Sequence, residues 1–147
     1  MSPEDQPRIK KPTYREVCSG QSGHVEVLYV ELNDPSVHFE ELCRFFFSFH
    51  DPTFPNRQGN DRGFQYSSWI FCGDDLQFEI AERVRGELQA AIHSGKVKAF
   101  GRKTVQTKLC QLKQFTKAQQ EHQEYLMKNP NGYCDHRIRL KQWYAPL

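Results

Sequence analysis

The sequence predicts an α+β domain, a small mixed sheet with flanking helices. Three observations carry this reading. Leu76, Ile80, Val84, Leu88 and Ile92 recur at every fourth position, the apolar stripe of an amphipathic helix. Phe39, Leu42, Phe46 and Phe49 recur at three- and four-residue steps and mark a second helix. Around them, HVEVLYVEL at 24–32, YSSWIFC at 66–72 and the alternating stretch 103–112 are strand-like.

In chain order, residues 1–11 are charged and Pro-rich with nothing to bury, and are expected as a mobile tail. Residues 12–23, PTYREVCSGQSG, are turn-rich and lead into the first strand. Its alternation places Val25, Val27 and Tyr29 on one face and His24, Glu26, Leu28 and Val30 on the other. Read from the residues alone, Glu26 is an edge-strand carboxylate facing solvent. Asn33, Asp34 and Pro35 make a turn, after which Cys43 and Phe45 widen the Phe-rich stripe. Cys43 on that face reads as an inert core thiol.

The segment 50–66, HDPTFPNRQGNDRGFQY, is too polar for a core element and too rich in aromatic and hydrogen-bonding residues for disorder. It is expected as an ordered, functional loop. After the second strand, Asp74 with Gln77 three residues on signals a helix start, and Ser94 with Gly95 a stop near His93. Gly86 inside that helix costs about 1 kcal/mol relative to Ala. In the third strand Val105, Thr107 and Leu109 share a face. Thr116 and Gln119 form a capping box that predicts a last helix, with Ala118, His122, Tyr125 and Leu126 on one side. Asn129-Pro130-Asn131-Gly132 ends it, and a basic, aromatic tail follows over 135–147. Three strands fall short of the usual ~4 to 6 of a sheet.

At 147 residues the chain suits one domain, but only 37% of it is hydrophobic and mean hydropathy is -0.77, so the core must be small. Lys and Arg number 20 against 18 Asp and Glu, a net charge of +2 that gives no field for nucleic acid or acidic lipid. Basic residues gather at 96–117 and 137–141, interspersed with polar and apolar ones, as on a solvated face. The 5 cysteines form no C-x-x-C pair, and no signal peptide, membrane span or glycosylation sequon is present. A reducing, cytoplasmic setting is expected. No His or Cys pair has metal-ligand spacing, and neither metal nor other cofactor is expected.

Four stretches carry a resemblance: PTYREVCSGQSGHVEV, the Phe-rich helix ending in HDPT, RQGNDRGFQYSS, and EHQEYLMKNPNGYC. Together they resemble peptide-methionine (S)-S-oxide reductase, the A-type methionine sulfoxide reductase (MsrA), over roughly residues 12–134. The resemblance implies thiol chemistry. A cysteine thiolate attacks the sulfoxide sulfur while an acid protonates the departing oxygen, leaving methionine and a cysteine sulfenic acid. A second cysteine then forms a disulfide, which a thioredoxin-like reductant reopens. On this pattern Glu26 is the proton donor, Tyr14 and Tyr66 hydrogen-bond the sulfoxide oxygen, Asp61 supports the site, and Cys134 is the recycling cysteine. The substrates implied are oxidised proteins or peptides containing methionine-(S)-sulfoxide.

The chain departs from the family in one respect. It contains no Gly-Cys-Phe-Trp-Gly motif, which carries the family's nucleophile, and no strand, helix and strand ahead of Pro12-Thr13-Tyr14. The expected fold is therefore the family's ferredoxin-like one without its first strand-helix-strand, with open sheet edges and low thermal stability. Cys18 is the one candidate substitute nucleophile, although a bystander is the better reading of a cysteine in EVCSG. A family member that binds sulfoxide or a redox partner without turnover is the alternative function.

Overall fold

The computed structural model describes Met1, Ser2, Ile9 and residues 11–143. Asp74 starts the longest element: its side chain accepts the Gln77 amide at 2.7 Å and caps helix Asp75–His93. The helix ends as its sequence indicates, with Ser94 capping and Gly95 in the left-handed region at φ +74°. The Phe-rich helix runs over Pro35–Ser48, with proline in its first turn, where no backbone donor is needed. Its buried line is Phe39, Cys43 and Phe47, so the predicted stripe is displaced by about one residue and Phe45 is exposed.

In order, the elements are α1 (Tyr14–Cys18), α2 (Pro35–Ser48), β1 (Arg57–Gln58), β2 (Asp61–Arg62), β3 (Trp69–Cys72), α3 (Asp75–His93), β4 (Lys108–Gln111) and α4 (Tyr125–Lys128). They give an α+β fold with two two-stranded sheets. β3 and β4 pair in parallel, Trp69 opposite Lys108 and Cys72 opposite Gln111, with α3 as the crossover that a parallel pair requires. β1 and β2 pair antiparallel around Gly59 and Asn60, giving the expected ordered loop a hairpin at its centre. Phe39, Cys43 and Phe47 of α2 meet Ala81, Val84, Leu88 and Ile92 of α3 over Cys72, forming the core.

Buried polar residues lock this core to segment 50–66. His50 Nδ1 lies 2.7 Å from the Phe46 carbonyl and Nε2 2.9 Å from Ser68 Oγ, which in turn contacts Thr107 Oγ1 at 2.7 Å. A carbonyl can only accept, so Nδ1 carries the proton and Nε2 accepts from Ser68. Asp51 accepts from the amide and hydroxyl of Thr53 through one oxygen and from the Gly101 amide through the other. The His-Asp-Pro-Thr motif is thus a clasp between α2, β3 and the 100–107 loop.

Four expectations are corrected. Residues 24–32 form no strand: among the described residues Val25 pairs with Met1 and the Glu26 amide with the Gln65 carbonyl, but no ladder follows, and Leu28 is 86% exposed. Alternation gives a strand only when a neighbour takes up its hydrogen bonds. The strand over 103–112 shortens to Lys108–Gln111. The helix expected from Thr116 breaks into a 3-10 turn at Gln120–His122 and the short α4, separated by Glu124 at φ +53°. No residue of either piece is buried, so there is no packed face to sustain a longer helix. Residues 135–143, expected as a tail, lie against the end of α2: Arg139 and Leu140 donate to the Ser48 carbonyl, and Trp143 Nε1 donates to Glu87. At the other end Met1 and Ser2 are buried, while the mobile tail expected over 3–8 and at 10 lies outside the described residues.

Candidate active site

The site is organised around Gln65. Its backbone carbonyl takes the Glu26 amide at 2.9 Å, and its side-chain amide donates to the Cys18 carbonyl at 3.1 Å. One buried residue, through its backbone and its side chain, thereby joins the end of α1, the extended segment bearing Glu26 and the 3-10 turn Phe64–Tyr66. Gly63 precedes that turn at φ +136°, and a Cβ there would stand 2.3 Å from Gln65 Oε1. Only glycine fits on both counts. α1 is held by a capping box in which Thr13 accepts the Glu16 amide and Glu16 accepts the Thr13 amide at 2.7 Å, fixing the backbone of Tyr14.

Tyr14, Glu26 and Tyr66 lie close enough to one another and to Asp61 and Cys18 for the ionisation of the two phenols and of the Glu26 carboxyl to be shifted. The Tyr14 phenol is pushed up to about 12, first by its hydrogen bond to the Cys18 thiol and then by charge at Cys18, burial, Tyr66 and Glu26. Burial raises the Glu26 carboxyl and the charge of Asp61 adds to it, while His122 and the chain's amino group pull the other way. Glu26 is exposed as a residue, but the atoms around its carboxyl displace part of its water and raise its pKa above the ordinary carboxylate value. The Tyr66 phenol is raised by burial and then by Glu26, Asp61 and Cys18. Both phenols are therefore protonated donors at neutral pH, beside an acid biased toward keeping its proton.

Tyr14 and Glu26 line a cleft of about 610 Å3 together with His24, Tyr29, Phe115 and His122. Tyr66 and Asp61 do not line it; the charge of Asp61 bears on Glu26, and that of Glu26 on Tyr66. A smaller hollow of about 190 Å3 beside Arg44 and Trp143 contains none of these groups. Two residues that reasoning from the sequence passed over belong to the arrangement. His122, placed by the sequence on one side of the last helix, stacks on Tyr14 with ring centres 4.4 Å apart and planes at 18°. The Tyr133 phenol hydrogen-bonds with Asn60 and Asp61; its place beside Cys134 was the available signal.

Cys134 is exposed beside the β1–β2 hairpin, its Sγ 3.6 Å from His136 Nδ1. Its neighbour Tyr133 contacts Asp61, whose charge bears on Glu26. Cys43 and Cys72 are buried, and burial pushes their thiols up to about 12 and about 11, as inert core thiols require. Among the described residues no three of His, Cys, Asp and Glu are grouped to hold a metal, and no helix is long and apolar enough to cross a membrane.

A family model described as peptide methionine sulfoxide reductase matches residues 6–145. The chain is 42% identical over 123 residues to a peptide methionine sulfoxide reductase MsrA of Ectopseudomonas mendocina, covering 84% of this chain and 54% of that protein. Against the MsrA of Saccharophagus degradans the identity is 45%, covering 84% and 55%. The chain thus spans about half the length of these curated relatives. Its fold is similar to that of reduced Mxr1 from Saccharomyces cerevisiae, with a TM-score of 0.77 at 34% identity over 93% of this chain and 72% of that one. A methionine sulfoxide reductase A of Corynebacterium diphtheriae matches with a TM-score of 0.61 at 39% identity, covering 84% and 59%. With the family's motifs distributed along the whole match and the same fold in both solved structures, the chain belongs to the peptide methionine sulfoxide reductase family.

Proposed function

We propose that the protein reduces methionine-(S)-sulfoxide in oxidised proteins, with Glu26 as proton donor and Tyr14 and Tyr66 as hydrogen-bond donors to the sulfoxide oxygen. The observation that carries this is the raised carboxyl of Glu26 beside two protonated phenols. A thiolate attacks sulfur, the S–O bond breaks, Glu26 delivers its proton to the oxygen, and the products are methionine and a cysteine sulfenic acid. Donors of this kind stabilise the charge that develops on that oxygen. Asp61 supports the site through its charge on Glu26 and its hydrogen bond to Tyr133. Cys134 converts the sulfenic acid to a disulfide, and a thioredoxin-like dithiol returns it to thiols. Free thiols and dithiol turnover fit a reducing compartment such as the cytoplasm.

A second reading concerns the attacking thiol. Cys18 is the cysteine that hydrogen-bonds Tyr14 and bears on Tyr66, so this chain itself brings a thiol to the oxygen donors. The test is reduction of methionine-(S)-sulfoxide peptide by the 147-residue chain with dithiothreitol, using the R epimer as control. Turnover confined to the S epimer is expected, with loss in Glu26→Gln. Binding of the S epimer without reduction points instead to the non-catalytic family member. If Cys18→Ser keeps the full rate, Cys18 is a bystander.

A further inference from the structure

The turn after Gly132 is seated on the β1–β2 hairpin. Asp135 accepts the Asn60 amide at 2.9 Å, and Gly59 leaves the room: a Cβ there would fall 0.9 Å from Asp135 Oδ2. The seat fixes His136, whose ring packs on Phe49 at 4.9 Å between ring centres. Its Nε2 contacts the Gln58 side-chain Nε2 and its Nδ1 faces Cys134 Sγ at 3.6 Å. A Gln amide can turn either its oxygen or its NH2 to a neighbour. Turned over from the placement with its nitrogen inward, the Gln58 amide sets its oxygen on Nε2–H, and Nδ1 then presents its lone pair to the thiol.

We propose that His136 is a general base for Cys134: its Nδ1 receives the Sγ proton as the sulfur attacks an electrophile. The place of this step in recycling rests on the reading of Cys134 given above. There the Cys134 S–H bond breaks and its proton passes to Nδ1. An S–S bond forms to the sulfenic sulfur as its S–O bond breaks, and the departing oxygen leaves as water after taking the proton from Nδ1. The sulfenic sulfur is reduced and Cys134 oxidised, with no further reagent. The charged groups facing His136 are Asp135 and Asp61, which favour its protonated form, and Arg139, which opposes it; His50 also lies within range. Burial outweighs the carboxylates and lowers the imidazole below its ordinary value, so it is neutral and able to accept a proton at pH 7.

The test is alkylation of the full chain by iodoacetamide, resolved for each cysteine by peptide mass spectrometry between about pH 5 and about pH 9, where His and Cys titrate. It needs no sulfoxide turnover, so the dyad can fail while the proposed reductase activity stands, and the reverse. In the unaltered chain Cys134 labelling should follow the titration of an imidazole below its ordinary value. In His136→Gln that inflection should vanish, with labelling at pH 7 slowed about tenfold. That is less than the ~10²-fold or more of a well-aligned base, because the 3.6 Å contact is long. Added imidazole should restore part of the rate, while labelling of the exposed Cys18 should be unchanged. Equal Cys134 rates with and without His136 at every pH overturn the proposal, as does a parallel change at Cys18.

Discussion

The Glu26 amide donates to the Gln65 carbonyl at 2.9 Å, so the acid and the Tyr66 phenol are set one residue apart on a shared hydrogen bond. The Gln65 side chain is only 3% exposed and carries the Cys18 carbonyl as well. Gln65→Ala should therefore lower stability by about 1 to 3 kcal/mol, because it removes a buried side chain and leaves the part-buried Cys18 carbonyl without its donor. Gly63→Ala should cost a similar amount through backbone strain and contact with Gln65. Urea unfolding of both variants measures this, and a loss within about 0.5 kcal/mol for Gln65→Ala, as at an ordinary surface site, would remove Gln65 from its central place.

Acid stability is set from the other side of the fold. His50 is buried with Nδ1 donating to Phe46 and Nε2 accepting from Ser68, an arrangement that only the neutral ring can make. Burial lowers its pKa from 6.5 to about 4. The unfolded chain then binds more protons between those values. His50 contributes fully above pH 6.5, and its contribution falls as pH drops toward 4, by roughly 3 kcal/mol in total. Unfolding free energy measured from neutral to acid pH should decline over this window. His50→Gln should be less stable at pH 7 yet show a flatter slope.

What the sequence made legible was local. Asp74, Gln77, Ser94 and Gly95 bound α3 because caps act within one turn, and Trp69–Cys72 is a strand because its apolar run is buried by its own crossover helix. Residues 24–32 read equally well as a strand but lack a ladder partner among the described residues, a fact about distant chain that no local pattern holds. The last helix fails for the same reason: its capping signal is present, but among the described residues nothing buries a face of it. At the site, Glu26 looked like a solvated carboxylate by alternation, and only the family motif singled it out. Its dependence on Gln65, and that of Cys134 on His136, come from contacts 39 and 2 residues apart whose geometry depends on Gly63 and Gly59.

Gly86 offers a stabilising change. It lies in α3, exposed, and an added Cβ there meets nothing within 4 Å. Gly86→Ala therefore removes a helix penalty of about 1 kcal/mol without a new contact. For a chain of this size the thermal midpoint should rise by about 3 °C, with cysteine labelling unchanged. No rise, or a fall, would mean that α3 is not helical through this position.

Glu26→Gln separates stability from chemistry. The folded-state pKa of Glu26 is raised above 4.5, so the folded chain binds its proton more tightly than the unfolded chain does. Its favourable contribution is then complete below pH 4.5 and is lost as pH rises through the higher folded value, leaving an ionised carboxylate that burial and Asp61 disfavour at neutral pH. Gln keeps the shape and removes that charge. The variant should be more stable than the original at pH 7, with the difference closing below pH 4.5. Sulfoxide reduction should fall by about 10²-fold or more as the proton donor is lost. An edge carboxylate in open solvent predicts neither effect, so paired unfolding and turnover measurements on one variant distinguish the readings. A stability gain with unchanged turnover would keep Glu26 as a strained acid and move the proton donor elsewhere in the cleft.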